Sequence, residues 1–474
     1  MQIVNIDISD SGRIIIDDRV YYSVENAADG MIQNPDTHER AVLKKIDNQP
    51  ELEAADDFEC EVLAAEKGSR GFRNIIYPTV LKRKAGLSEM NEAFIFTEVP
   101  ESVTDRSVHQ LTKALKASGF SIYSRIMAAM NLAESLCVIQ KYVGRNIVTI
   151  HPEEIYVNID SGDVYIWIAN WLRDVTAKSG TEEFGFSPEW YHRTDKTVTD
   201  SDLNYFAAYV FFRLLCNDDP FDGSETLMQF PLLTREAITS IHDGTYGFVL
   251  TDGRNNISEY IGYGLQKKWR ALPRFIRVEF EKNFTVGLKS PEDRTDIAKW
   301  LKIIQKMRDS LVYVNSQFKF CDPDVSNKVL FMVVDDFKIP VWPKKAVYWY
   351  HVDIPLYESQ NGIVAGVTVR EGKYYLSNLS GNPWAVTLNS VTEWVEPEQS
   401  IQIIEGMVIK LGDSKSIKVQ SGEIDTTPEL VDVIVPDMNS IVNDNIISGD
   451  IIDGLPDDVH EAALIIDNCN GKEE

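Results

Sequence analysis

The chain has 474 residues, of which 44% are hydrophobic and 25% are charged, a composition typical of a soluble globular protein with two or three domains. Its net charge of -26 at pH 7 repels phosphate backbones and anionic lipid, so we expect neither nucleic acid nor a membrane surface as a partner. Five cysteines without CxxC spacing argue against a disulfide framework or a zinc site, and the lack of a leader-like N-terminus predicts a cytoplasmic location.

Short β-type runs dominate residues 1–100. They are "RIIIDDRVYYSV", "RAVLKKI", "NIIYPTVLKRK" and "NEAFIFTEVP", and an acidic stretch of helical character, "DDFECEVLAAEKG", lies among them. This region is therefore predicted to form a small sheet with one helix.

Residues 101–315 have a different pattern. The stretch "SIYSRIMAAMNLAESLCVIQKY" places apolar side chains such as Ile122, Ile126 and Met130 near helical spacing, and helical patterns predominate as far as Leu311. A mainly helical region is thus expected to follow the sheet.

The last part of the chain divides into two. Residues 328–420 contain short alternating runs punctuated by Gly, Pro and Asn, which predict a small all-β sandwich. Residues 421–474 form an acidic tail: from residue 422 onward it holds fourteen Asp and Glu against one Lys and contains no aromatic residue. We expect the tail to be disordered alone, and either to solvate the chain, to fold onto a partner, or to cover a cleft in cis.

Several motifs resemble those of the protein kinase fold, in the same order, over roughly the first 310 residues. "AVLKKI" is similar to the third-strand lysine motif with Lys44, and "FECEVL" places Glu61 as the helix partner of that lysine. "FSPEW" resembles the Ala-Pro-Glu motif with Glu189, the following helix carries Asp202, and "SPEDRT" supplies Arg294 as the ion partner of Glu189. The resemblance implies an α+β fold in which a β-rich N-lobe, 1–100, precedes a helical C-lobe, 101–315.

The catalytic positions of that family are altered. Aligned on "HPEEIYV", Thr149 stands where the catalytic-loop Asp belongs, His151 replaces the phosphate-contacting Lys, and Glu154 replaces the magnesium-binding Asn. "VYIWIANW" places Ile168 at the metal-binding Asp of Asp-Phe-Gly. Magnesium requires hard oxygen ligands, so the resemblance implies a pseudokinase without a catalytic residue or a normal metal site.

This reading predicts a regulatory or scaffold protein that acts through protein–protein interaction. The segments "DDPFDGSETL" and "PRFIRVEFEKNFTVGLKSPEDRTDIAKWLKII" resemble bacterial kinase-like proteins found alongside PP2C-type phosphatases and von Willebrand A proteins. The implied partners are a kinase, such a phosphatase, or a von Willebrand A protein in a bacterial signalling module. No cofactor is expected, although Lys44 and Glu61 form either a pair that binds ATP without a normal magnesium site or a purely structural ion pair.

Two alternatives stay open. In the first, the chain is an atypical kinase or another nucleotide-using enzyme, in which Lys44 and Glu154 act with a displaced acid, Asp160, Asp163 or Asp174. Asp160 and Asp163 flank a Ser-Gly pair, however, and this pattern favours a turn between two strands. In the second, the N-terminal region is a pure docking module that binds no nucleotide.

Two further groups of residues have a structural and a functional interpretation. Trp167, Trp171, Trp190 and Tyr191 are expected to fill the kinase-like cleft rather than to form a recognition surface. The runs "YYLSNLSGNPWAVTL" and "VEPEQSIQIIEGMVIKLGD" weakly resemble a forkhead-associated domain. The Gly-Arg, Ser and His residues that bind phosphothreonine in that family lack clear counterparts here, and Lys344 and Lys345 are the cations that could replace them. A role of this domain in protein docking is therefore favoured over phosphopeptide binding.

Overall fold

The structure is a computed structural model of the full chain. The residues that it describes are 2–4, 6–9, 12–24, 31–46, 69, 71–83, 93–100, 103, 105–144, 147, 150, 152–168, 171, 187–193, 197–229, 245–251, 263–314, 317–320, 329–352, 362–411 and 415–422. The chain divides into two compact units, the first made of Met1–Lys268 with Arg277–Lys302 and the second of Trp269–Ile276 with Ile303–Glu474.

The first unit begins with a sheet of eight described strands in the order β1-β8-β9-β6-β5-β4-β3-β2. Strands β1 to β9 are Gln2–Val4, Ile6–Ile8, Arg13–Ile16, Arg19–Ser23, Met31–Gln33, Arg40–Ile46, Ile75–Ile76, Thr79–Arg83 and Ala93–Val99. All pairs in this sheet are antiparallel except β1 with β8, which are parallel.

The β-type runs of the sequence become these strands because one face of each run is apolar. Ile14, Ile16, Tyr21 and Leu43 are buried in one cluster, while residues between them face outward. Asp17 and Asp18 form the β3–β4 turn, and both have a positive φ. Asp tolerates this conformation better than most residues do.

A second sheet, in the order β10-β11-β12-β7, packs on one long helix. The new elements are β10 Val108–Gln110, α1 Leu111–Ala114, α2 Ile122–Ile139, β11 Ile155–Asn158 and β12 Val164–Trp167. Gly162, in the β11–β12 turn, has a φ of +80°, and a Cβ there would overlap the Ser124 carbonyl of α2. Glycine is therefore required at this turn for two reasons, its backbone conformation and the close approach to the helix.

Helix α2 is the one described helix whose length and apolar composition would suffice to cross a membrane. In the structure, however, 89% of that apolar window, within Ile122–Tyr142, is buried inside the protein. Helical spacing of the apolar residues predicted this helix, and the structure buries nearly its whole circumference. This is the environment of a helix in the core of a folded domain.

The remaining described helices are α3 Pro188–His192, α4 Asp200–Cys216, α5 Ser224–Gln229, α6 Tyr263–Ala271, α7 Arg274–Lys289 and α8 Ile297–Ser310. Helix α4 begins with a capping box, in which the Thr199 side chain and the Asp202 side chain each accept from the other's backbone N–H. An aromatic cluster packs α4 against α7: the Phe212 ring lies edge-on to Phe280 and Phe284 at centroid distances of 5.3 and 5.7 Å.

The second unit is mainly β-sheet. Its elements are β13 Leu311–Val314, β14 Gln317–Phe320, β15 Leu330–Val334, β16 Phe337–Pro340, β17 Ala346–Tyr348, α9 Trp349–Val352, β18 Ile363–Arg370, β19 Lys373–Asn378, β20 Trp384–Leu388, β21 Val391–Val395, β22 Ser400–Gln402, β23 Val408–Leu411 and β24 Ser416–Ser421. A sheet in the order β16-β15-β24-β23-β20-β21 and a sheet in the order β17-β18-β19-β22 share one apolar core. Core side chains come from both sheets, among them Met332, Val364 and Trp384.

These observations confirm the α+β class and the β-rich character of residues 328–420. The finer prediction, a two-lobed kinase arrangement with an N-lobe over 1–100 and a C-lobe over 101–315, stays a prediction. The acidic helical stretch at 56–68 and the tail from 423 to 474 lie outside the described residues.

Candidate functional site

Lys44, the nucleotide-binding lysine implied by the resemblance, lies within β6 opposite Ile95 of β9. Its side chain is exposed. Glu61, its expected partner, lies outside the described residues. The Lys44–Glu61 pair therefore stays a prediction.

The segment aligned with the kinase catalytic loop connects α2 to β11. Ile147 is fully buried, and its backbone N–H donates to the Tyr142 carbonyl at 3.0 Å. Glu154 is half-buried at the end of the short 3-10 helix Pro152–Glu154, directly before β11. Thr149 and His151 lie outside the described residues, so no geometry tests the catalytic position that the alignment gives to Thr149.

Ile168, at the position aligned with the main metal ligand of kinases, follows β12 directly and is 0% exposed. Its backbone N–H donates to the Ile76 carbonyl at 3.1 Å, which extends the parallel pairing of β12 with β7 by one residue. The Ile168 carbonyl accepts from the Trp171 N–H at 2.9 Å. A buried hydrocarbon side chain offers no oxygen to a magnesium ion, and both backbone groups of this residue are already paired.

The acids proposed as displaced catalytic groups occupy the β11–β12 turn, as the Ser-Gly pattern predicted. The Asp160 carboxylate accepts from the Ser107 hydroxyl at 2.5 Å, and the Asp163 carboxylate accepts from the Ser161 hydroxyl at 2.7 Å. These hydrogen bonds account for both acids as turn-stabilising residues. Asp174 lies outside the described residues.

The expected ion pair between Glu189 and Arg294 is present. Arg294 Nη2 donates to both carboxylate oxygens of Glu189, at 2.9 and 2.7 Å. The Arg294 side chain is 0% exposed, and its other nitrogens donate to the Gly287 carbonyl and to the carbonyl and hydroxyl of Ser201. The guanidinium also lies 5.2 Å from the centre of the Tyr205 ring. This arginine thus joins the start of α3, the start of α4 and the α7–α8 connection.

Asp202 anchors the same region from the first turn of α4. Its carboxylate accepts from the Ser187 hydroxyl, the Arg193 guanidinium, and both the N–H and the hydroxyl of Thr199. Burial raises the pKa of Asp202, but the hydrogen bonds from Arg193, Ser187 and Thr199 outweigh burial, and the pKa lies below its ordinary value. The structure therefore brings the aligned Ser187-Pro188-Glu189 motif, Asp202 and Arg294 into one polar network.

The aromatic residues near this region are packed inside the protein. Trp167 and Trp190 are 9% and 7% exposed, and Trp171 is fully buried. Their burial excludes a recognition surface made of these three indoles, whereas the filling of a kinase-like cleft stays a prediction. The side chain of Tyr191 is outside the described set.

Lys345, named as a substitute phosphate-binding residue, has a different role in the second unit. Its ammonium group is buried and donates to the backbone carbonyls of Arg308 and Asp309, at the C-terminal end of α8. A cation is favourable there because the last helical carbonyls lack intrahelical partners. Lys344 is in the same turn with a φ of +63°, and burial lowers its pKa.

The sequence analysis missed a buried network around Asp309. His351 Nε2 lies 2.8 Å from Asp309 Oδ2, and the Tyr350 hydroxyl donates to Asp309 Oδ1 at 3.2 Å. His351 Nδ1 accepts from the Tyr348 N–H at 2.9 Å, so the imidazole carries its proton on Nε2. Burial and Asp309 raise the pKa of Tyr350 well above its ordinary value. The only sequence signal was a histidine within an aromatic run, forty-two positions from its carboxylate partner.

Within the part of the chain that the structure describes, His, Cys, Asp and Glu side chains form no group of three or more that could hold a metal ion. Comparison with known proteins adds no family assignment: no protein-family model matches the chain, and no curated protein matches it significantly.

Proposed function

We propose that the chain is a catalytically inactive kinase-like protein, a pseudokinase, that works by binding and regulating other proteins. The observation that carries the proposal is Ile168. Phosphoryl transfer depends on charge neutralisation by a metal ion, and the aligned metal position holds a side chain that is 0% exposed and purely hydrocarbon. A metal ligand cannot be recruited there without displacing the core around β12.

A second observation supports the kinase-like frame. The Glu189–Arg294 pair joins residues 105 positions apart, and the donors around Asp202 hold α3 to the start of α4; the resemblance gives these residues such a structural role. A protein that keeps this frame but lacks the metal ligand is suited to protein binding rather than to chemistry.

On this proposal the protein belongs to a bacterial signalling module in the cytoplasm, with a true kinase, a PP2C-type phosphatase or a von Willebrand A protein as its partner. These partner classes come from the resemblance of residues 218–227 and 273–304 to kinase-like proteins of such modules.

Thermal unfolding of the full chain with ATP, with and without magnesium, tests the proposal. A ligand that binds only the folded state stabilises it, by about 2.7 kcal/mol at about one hundred times Kd. The matched variants are Lys44→Ala and Lys45→Ala, because both lysines are exposed neighbours on β6 and only Lys44 aligns with the nucleotide lysine.

The pseudokinase proposal expects either no shift in Tm, or a shift that needs no magnesium and is lost in Lys44→Ala but kept in Lys45→Ala. A shift that appears only with magnesium, together with transfer of radiolabelled phosphate from ATP, would overturn it and establish the atypical enzyme. Absence of any shift would assign the function to protein-binding surfaces alone.

A further inference from the structure

The outer face of the six-stranded sheet carries basic and aromatic side chains. In β23 and β24 the inward residues Ile409 and Ile417 are buried, and the alternate residues Lys410 and Lys418 are exposed. On the edge strand β21, Trp394 is 65% exposed. We call the surface formed by Trp394, Lys410 and Lys418 the lysine face.

The strand register brings these three residues onto adjacent rows. Trp394 lies opposite Ala385 of β20, and Ala385 lies opposite Lys410 of β23, so the indole and the ammonium group flank a small side chain. In the next row, Lys418 lies opposite Val408. The outward residues of the four strands are Thr392, Trp394, Ala385, Thr387, Val408, Lys410, Ser416, Lys418 and Gln420. None of them is acidic.

This surface is unusual for a chain with a net charge of -26, and the chain itself contains the complementary segment. Residues 429–437, "ELVDVIVPD", carry the acids Glu429, Asp432 and Asp437 interleaved with Val, Ile and Leu. Acidic groups would neutralise the lysines, and the aliphatic groups would cover the exposed indole.

The connection is short enough for an intramolecular contact. Strand β24 ends at Ser421, and the Gly422 N–H donates to the Val329 carbonyl at 3.0 Å, so the tail starts from this sheet. Trp394 on β21 lies three strand spacings from β24, roughly 14 Å, and it is in the row of Ser416, roughly 17 Å along the strand from Ser421. The two offsets combine to roughly 22 Å, which the extended link from Gly422 through residues 423–428 to Glu429 spans at roughly 3.3–3.6 Å per residue.

We propose that the acidic segment 429–437 docks in cis on the lysine face, with Asp432 and its neighbouring carboxylates at Lys410 and Lys418 and the aliphatic side chains on Trp394. A short tether gives the segment an effective concentration of the order of millimolar, so a weak contact suffices. The tail thereby competes with any acidic protein partner for this face.

Zero-length carbodiimide cross-linking of the full chain, followed by peptide mass spectrometry, tests the proposal, because it joins only carboxylates and amines in contact. We expect Lys410 and Lys418 to cross-link to peptides that contain residues 429–437, with a yield that does not change on dilution. Lys373, which is exposed on β19 of the other sheet, is the matched control and should give none.

Two variants in the tail test the proposed contact between its aliphatic side chains and Trp394, and neither changes a residue of the sheet. Ile434→Ser should reduce the cross-links to Lys410 several-fold, whereas Ile451→Ser, further along the tail, should leave them unchanged. Cross-links between isotope-labelled and unlabelled chains would show that the occupant is a second copy and would overturn the cis contact. Equal yields at Lys373, or no tail cross-link at all, would overturn the docking surface itself.

Discussion

Replacing Glu189 by Gln should destabilise the helical part of the first unit, because it leaves a buried guanidinium without its counter-charge. Arg294 is 0% exposed, and Glu189 supplies two of its acceptors at 2.9 and 2.7 Å. Breaking a fully buried pair costs about 3–5 kcal/mol. Here the Glu189 side chain is 35% exposed, and Arg294 keeps acceptors from Gly287 and Ser201, so we expect the smaller loss of about 2 kcal/mol.

Hydrogen exchange of the α4 amides is the appropriate assay, since the two compact units need not unfold together. The control is Glu292→Gln, the same substitution at an exposed position of the same connection as Arg294, which should change stability by less than about 0.5 kcal/mol. A double-mutant cycle with Arg294→Met should give a coupling of about 1–3 kcal/mol. If Glu189→Gln is no more destabilising than Glu292→Gln, the ion pair does not hold α3 to α4 and the reasoning fails.

Three further predictions concern stability. Burial, and after it the neighbouring Asp219 carboxylate, raises the pKa of Asp222 from its ordinary value of 3.8 to about 7. The folded state therefore binds this proton more tightly than the unfolded state does, and the free energy of unfolding should fall as the pH rises from about 4 to about 7. Asp222→Asn should flatten that fall in urea unfolding curves; an unchanged slope would contradict the assignment. Gly162→Ala should cost more than Gly372→Ala, because both glycines have positive φ but only Gly162 has a neighbour that a Cβ would overlap; equal shifts in Tm would refute the steric part. His351→Phe should cost about 3 kcal/mol in urea unfolding, since it leaves the Asp309 carboxylate buried with one donor fewer, and a loss below about 1 kcal/mol would show that the carboxylate finds another partner.

Local patterns in the sequence were sufficient to predict those helices, strands and turns that are determined by residues close along the chain. The run at Arg40–Ile46 forms a strand, and helix α2 is capped at its N-terminus by Ser121, whose hydroxyl accepts from the Ser124 N–H. The Asp160 turn followed from the same local rules. Alignment to a known motif order was needed to place Glu189 beside Arg294, because no periodicity connects residues 105 positions apart.

The remaining features depend on contacts that neither periodicity nor a motif reports. The parallel pairing of β1 with β8 joins Gln2 to Leu81, and strand propensity does not specify a partner. The buried pair of Asp309 and His351 could not be predicted from local pattern either, because a charged residue near a helix end is usually predicted to be exposed. Long-range pairing of this kind is decided by packing, which single-sequence patterns do not encode.

The burial of Ile168 also determines how readily this position could acquire a metal ligand. An Ile168→Asp change would place a carboxylate without a partner at a site that is 0% exposed, at a cost of several kcal/mol. Natural domains have only about 5–15 kcal/mol of stability in total. Acquiring a carboxylate here by a single step would therefore pass through a poorly folded intermediate, so the interior of the protein constrains the evolution of this position towards apolar residues.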